Sequence, residues 1–179
     1  MFGELAVVQL MLDVMFIKGS MEIQYRALMP EDSFQYRQVR LESLKLHPEC
    51  FGSGYTEQVK LPKLYFERLI EDSSQENIML GAFHGSKLVG LCGVVTQSTK
   101  TAEIIQMYVD SDYRGIGLGV NLLSLAKKYA STRLKVAALN LIVYRNNESA
   151  IRAYEKSGFQ VVESMSDFNE NEYYLAFTI

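Results

Sequence analysis

The sequence predicts an α/β chain of the α+β type, a single mixed sheet with helices on both faces. Three observations carry that expectation. Segments of strand and helix character follow one another as β-α-α-β-β-β-α-β-α-β-β. The centre of the chain, residues 101–131, passes from an apolar β-prone run through a glycine-rich turn into helical periodicity. The 179 residues are 48% hydrophobic, enough for one domain with a proper core, and they hold no repeat, low-complexity tract or linker.

Residues 1–20 stand apart from this pattern. They are mostly apolar, but Glu4 and Asp13 interrupt the run and Lys18 comes late. Neither the early positive charge and cleavage site of a signal peptide nor a run long enough to span a membrane is evident. The expectation is an N-terminal extension, native or artificial, whose apolar side chains bury on the domain or on a second copy, as a helix at a homodimer contact. Residues 21–179 form the domain proper.

Residues 22–28 alternate, with Ile23, Tyr25 and Ala27 opposed to Gln24 and Arg26, as a strand does. Pro30-Glu31-Asp32-Ser33 starts a helix that runs to about Leu46, where His47-Pro48 ends it. Residues 49–60 read as a loop with Gly52 and Gly54, and Pro62 opens a second helix over 63–70. Phe51, Tyr55, Tyr65 and Phe66 in this stretch fit core or lid packing better than substrate contact. Residues 77–83 and 87–96 are strands joined by the tight hairpin His84-Gly85-Ser86. A central strand over 102–109 leads into the polar turn Asp110 to Tyr113. Leu118, Leu122, Leu125, Ala126 and Tyr129 then recur on one face of a helix. Residues 136–144 are another apolar strand. Asn146-Asn147-Glu148 starts a short helix that Gly158 ends. Strands over 159–164 and 173–178 close the chain, joined around Asn169-Glu170-Asn171.

Composition excludes several functions. The net charge is −3 and no basic block suggests nucleic acid. Cys50 and Cys92 have neither metal spacing nor a disulfide framework and read as reduced thiols in a cytoplasm. The two histidines, His47 and His84, lie far apart, so no metal site is expected.

Between the central turn and its helix lies Arg114-Gly115-Ile116-Gly117-Leu118-Gly119. Alternating glycines let the backbone bend and leave no side chains over its N–H groups. A helix start offers unpaired donors and the positive end of its dipole, and Arg114 adds a fixed charge able to fork onto phosphate oxygens. Together these predict an anion site suited to a pyrophosphate, against the plainer alternative of a turn that binds nothing. A P-loop fails, because Val120 and Asn121 follow Gly119 where Lys-Ser/Thr is required. A dinucleotide fingerprint also fails, because Val120 and Leu122 stand where its third glycine belongs.

Arg114-x-x-Gly117-x-Gly119, after a strand and before a helix, resembles the coenzyme A pyrophosphate loop of the GCN5-related N-acetyltransferases. The preceding Met107-Tyr108-Val109 fits that family too, and the resemblance spans roughly residues 21–179. It implies a mostly antiparallel twisted sheet of about seven strands flanked by helices, with acetyl-CoA as cosubstrate and an amine as acceptor. It further implies that Met107, Tyr108, Val109, Arg114, Gly115, Ile116, Gly117, Leu118 and Gly119 bind the coenzyme.

A second motif, Asn147-x-x-Ala150-Ile151-x-x-Tyr154-Glu155-Lys156-x-Gly158-Phe159, is similar to the family's Asn-x-x-Ala…Tyr-Glu-Lys-x-Gly-Phe segment. Asn147 can cap the helix or contact the pantetheine arm. Tyr154 can be a core residue or, as the resemblance implies, the proton donor to the departing coenzyme thiolate. Direct attack by the amine would leave an oxyanion held by a backbone N–H near residues 107–109, where the family splays its central strands apart. Glu103 is the acidic residue inside the central apolar run and falls where the histone-acetylating branch carries its general base. A charge on a solvated strand edge is the alternative for Glu103. An acyl-CoA sensor that binds without transferring is the competing functional class.

Overall fold

The computed structural model describes residues 22–163 and 170–179. The extension at residues 1–20, its dimer contact and the start of the turn around Asn169 lie outside the described residues. Strands β1 (Ile23–Ala27), β2 (Ile78–His84), β3 (Lys87–Thr96), β4 (Thr101–Val109), β5 (Ala138–Tyr144), β6 (Gln160–Val161) and β7 (Glu172–Thr178) form one sheet. Their order is β1-β2-β3-β4-β5-β7-β6. Every neighbouring pair is antiparallel except β4 and β5.

The helices are α1 (Ser33–Leu46), α2 (Tyr55–Gln58), α3 (Tyr65–Glu71), α4 (Leu118–Tyr129) and α5 (Glu148–Lys156). Of the apolar stripe predicted for α4 from spacing, Leu118, Leu122 and Ala126 are buried against one face of the sheet beside Tyr154 and Phe159, Leu125 and Tyr129 are partly buried, and Leu123, outside the predicted stripe, is buried with them. Tyr36 of α1 and Phe66 and Ile70 of α3 pack on the opposite face against Met79, Phe83 and Leu91. Both faces are thereby covered, which explains why β2 and β3 are apolar almost throughout.

Local departures from expectation have local causes. The stretch 49–60 carries a 3₁₀ turn at Pro48–Cys50 and the one-turn α2, both too short to show periodicity. Helix α3 starts at Tyr65 because Leu64 is extended and its N–H donates to the Glu67 carboxylate at 2.7 Å. Helix α4 runs on into a π turn, Ala130–Leu134, ended by Lys135 at φ 55°, so β5 begins at Ala138 rather than 136. Strand β6 spans Gln160–Val161, shorter than the expected strand over 159–164, whose last residue lies outside the described residues.

Two irregularities in β4 set the shape of the sheet at its centre. Its pairing with β3 changes register between Gly93–Ile105 and Leu91–Tyr108, a one-residue bulge at Gln106, which adopts φ 54°. The extra residue turns Met107 and Val109 toward the α4 face and Tyr108 toward the α1 face. On its other edge β4 pairs with β5 only through residues 101–103 against 138–140. Beyond that point the two strands diverge.

Candidate active site

The divergence of β4 and β5 opens a cleft of about 610 Å³. Glu103, Met107, Tyr108, Val109, Arg114, Gly115, Gly117, Leu118, Gly119, Asn147 and Tyr154 all line it. Of the candidate catalytic and coenzyme-binding residues only Ile116 does not, and it is 67% exposed. The β4 edge over residues 104–109 has no strand partner on this side among the described residues, so alternate backbone groups face the cleft.

The glycine turn has the geometry that glycine alone supplies cheaply. Gly115 and Gly117 sit at φ 78° and 91°, and a Cβ on either would meet nothing within 4 Å. Conformation and clearance over the turn, rather than crowding, therefore call for glycine here. Gly119 differs: its φ is ordinary and a Cβ would touch Met107 Cε at 3.5 Å. Helix α4 starts at Gly117 without a side-chain cap. Its first donors, the N–H groups of Leu118, Gly119 and Val120, have no backbone or side-chain acceptor among the described residues and stand at the positive end of the helix.

Arg114 does not reach over these donors. Its Nε donates to the Val109 carbonyl and its Nη2 to His47 Nε2, each at 2.9 Å. Because a guanidinium can only donate, His47 Nε2 carries the lone pair, and the ring proton is on Nδ1, 3.5 Å from Glu49. The positive charge is thus held at the rim of the cleft, bridging the end of β4 and the end of α1.

Helix α5 supplies the opposite wall. Asn147 caps it, Oδ1 accepting from the Ala150 N–H at 3.2 Å, while Nδ2 donates toward Cys50 Sγ at 3.6 Å across the cleft. Capping and a cleft-facing amide coexist in this one side chain. Tyr154 is buried, its ring 6.1 Å from that of Phe159 in an edge contact. Its hydroxyl has no hydrogen-bond partner among the described residues. Burial pushes its pKa up, with the Cys92 and Cys50 thiols adding to the effect, so the group stays protonated. Gly158, at φ 84°, turns the chain so that the Phe159 N–H returns to the Tyr154 carbonyl at 3.0 Å.

Glu103 lies on β4 between Val95 and Asn140. It sits at the half-buried wall of the cleft, so its solvated-edge alternative is only half met. Burial raises its pKa, offset in part by Gln97 Nε2, which donates to Oε2 at 2.6 Å. Such a carboxylate binds a proton more readily than an ordinary surface glutamate.

Sequence reasoning missed the residues that the α1–α2 connection brings in: His47, Cys50, Phe51 and Gly52 line the cleft. This connection crosses to β5, where a Cβ on Gly52 would stand 4.0 Å from the Tyr144 hydroxyl. Glycine and aromatic content marked it as a loop but carried no sign of where it lands. Phe51 is therefore a cleft residue, whereas Phe66 is core and Tyr65 is 48% exposed. Tyr144 and Glu172, cross-strand partners on β5 and β7, complete the far wall.

The chain is similar to known proteins. The family model for acetyltransferases of the GNAT family matches residues 33–159. The chain is 35% identical over 127 residues to spermidine N(1)-acetyltransferase of Escherichia coli K12, covering 69% of this chain and 66% of that protein. It is 28% identical over 123 residues to acetyltransferase PseH of Campylobacter jejuni, covering 68% of this chain and 76% of that one. Among solved structures, a PaiA N-acetyltransferase from Thermoplasma acidophilum in complex with coenzyme A superimposes with a TM-score of 0.73 at 25% identity, over 89% of this chain and 100% of that one.

Proposed function

The chain belongs to the acetyltransferase (GNAT) family, and on that premise we propose that it carries acetyl from acetyl-CoA to a primary amine by direct attack while both are bound. The observation that carries this reading is the unpartnered Tyr154 hydroxyl in the same cleft as the glycine turn and the uncapped start of α4. The N–H groups of Leu118, Gly119 and Val120 take the pyrophosphate, with Arg114 adding charge at the rim. Gly115 and Gly117 keep the approach clear, and Ile116 lies on the solvent side of the same turn. The pantetheine arm runs between β4 and β5 past Asn147, pairing with backbone groups near Met107, Tyr108 and Val109.

The amine attacks the thioester carbonyl after Glu103 has taken its proton. A backbone N–H of β4 stabilises the oxyanion, and Tyr154 protonates the thiolate as it leaves. Cys50 is a poor candidate for an acyl-enzyme nucleophile, because burial and the neighbouring Glu49 raise its thiol pKa. That favours a ternary complex over a covalent intermediate. Both cysteines are free thiols, which suits a cytoplasmic enzyme.

The test is coenzyme A release from acetyl-CoA with a panel of small amines and peptide amines, with the acetylated product identified by mass. Amine-dependent release is expected. Tight acetyl-CoA binding with no release for any amine would replace this reading with a non-catalytic acyl-CoA sensor.

A further inference from the structure

Three charged side chains are buried among the described residues: Asp32, Glu67 and Arg40. Two of them are paired, Asp32 with Arg26 at 2.5 Å and Glu67 with Arg37 at 2.7 Å. Arg40 is the exception. It is 3% exposed, and its Nε and Nη1 have no hydrogen-bond partner among the described residues. Nη2 donates to Ser53 Oγ at a long 3.3 Å, and the guanidinium lies over the Phe51 ring at 4.6 Å. Burial lowers its pKa to about 10. A buried cation left without an anion is costly, and proteins pair such groups.

The surroundings of Arg40 connect it to the cleft. Phe51 and Gly52 line the cleft, so the guanidinium sits one aromatic ring behind its wall. Tyr36 lies four residues earlier on the same face of α1, and its hydroxyl donates at 2.9 Å to Gln106 in the β4 bulge. Tyr36 thus ties this part of α1 to the bulge, which neighbours cleft residues Ile105 and Met107, while Phe51 and Ser53 of the connection lie against the Arg40 guanidinium. This is the sheet face on which α1 packs, opposite the one that α4 covers.

We infer that Arg40 is the recognition cation for a carboxylate on the acceptor, reached when the Phe51 ring swings aside, so that the substrate class is an amine that also carries a carboxylate. The inference rests on the acetyltransferase reading above. A carboxylate is planar and offers two acceptor oxygens, so it satisfies two guanidinium donors at once. An ammonium directed to Glu103 and a carboxylate directed to Arg40 would orient one acceptor from two ends. If Arg40 only braces Phe51 by its cation–π contact, acceptor charge will not matter to it.

The experiment compares matched acceptors that differ only at this group: amino acids and ω-amino acids such as β-alanine, each against its carboxamide. For each pair the ratio of kcat/KM, acid over amide, is measured in the parent and in Arg40→Met. The ratio of the two ratios cancels the intrinsic reactivity of each amine. A ratio of ratios, parent over Arg40→Met, of roughly tenfold or more is expected, the scale of a charged hydrogen bond. Arg40→Lys, which keeps charge but loses the fork, should fall between. A ratio of ratios near one overturns the inference, because acid and amide are then discriminated equally with and without Arg40. Calorimetry of the same acid–amide pairs on the coenzyme A-loaded parent answers the question even if Arg40→Met does not fold or no acetyl group moves. Equal binding of acid and amide there sinks the carboxylate site, while absent turnover with selective binding of the acid sinks only the catalytic reading.

Discussion

Replacing Tyr154 with Phe removes one oxygen and keeps the ring, and the structure separates its two roles more sharply than sequence does. The Tyr154 ring packs against Phe159 at 6.1 Å and is 7% exposed, contacts that phenylalanine retains. The hydroxyl makes no hydrogen bond to described residues, so the substitution breaks none. The hydroxyl opens onto the cleft, so its removal strands no buried partner and should change stability by less than about 1 kcal/mol. The melting temperature should therefore hold. If the hydroxyl protonates the departing thiolate, kcat should fall by about 10²- to 10⁴-fold, roughly 3–5 kcal/mol on the barrier. The dissociation constant of acetyl-CoA should barely move, because the contact gains strength only as the thiolate forms. A thioester with a more acidic thiol should restore the rate, since that leaving group needs no proton. Burial holds the hydroxyl protonated above the ordinary tyrosine range, so Tyr154 should contribute no basic limb to the pH–rate profile below about pH 10. The assay is kcat for parent and variant with both thioesters, beside a melting curve. An intact kcat in the variant would refute the proton-donor role and leave Tyr154 as packing.

Glu103→Gln should lower kcat with little change in coenzyme affinity. The base must be ionised and burial raises its pKa, so the acid limb of the parent profile should lie above the ordinary glutamate range and vanish in the variant. A raised carboxylate pKa contributes stability below the unfolded value that is lost as pH rises through the folded one, so the same variant should melt slightly higher at neutral pH; an unchanged rate profile would return deprotonation to solvent. Arg114→Ala should weaken acetyl-CoA binding by about 1.5–3 kcal/mol in calorimetry, the scale of a charged hydrogen bond, and parental affinity would remove Arg114 from the anion site. Gly117→Ala forces a side chain into the left-handed region and should cost about 1–2 kcal/mol of stability. Gly119→Ala meets only ordinary contacts within a helix and should be neutral or stabilising, by up to about 1 kcal/mol; equal melting curves for the two would void this reading of the turn.

Much of the fold was legible because its signals are local. Alternation at β1, the apolar runs of β2 and β3 and the helical spacing of α4 each report which face of one element is buried. Arg114 to Gly119 and Asn147 to Tyr154 were legible because helix starts, caps and glycine turns are chemistry within a few residues. What the chain did not disclose depends on residues far apart in sequence. His47 and Arg114 are separated by 67 positions, and Cys50 and Asn147 by 97. A bulge is one extra residue with no compositional signature, yet at Gln106 it decides which faces Met107 and Tyr108 serve. Arg40 looks in sequence like any solvated helix charge. Only the packing of α1 beneath Phe51 buries it, because burial is a property of what the rest of the chain lays over a residue rather than of the residue itself.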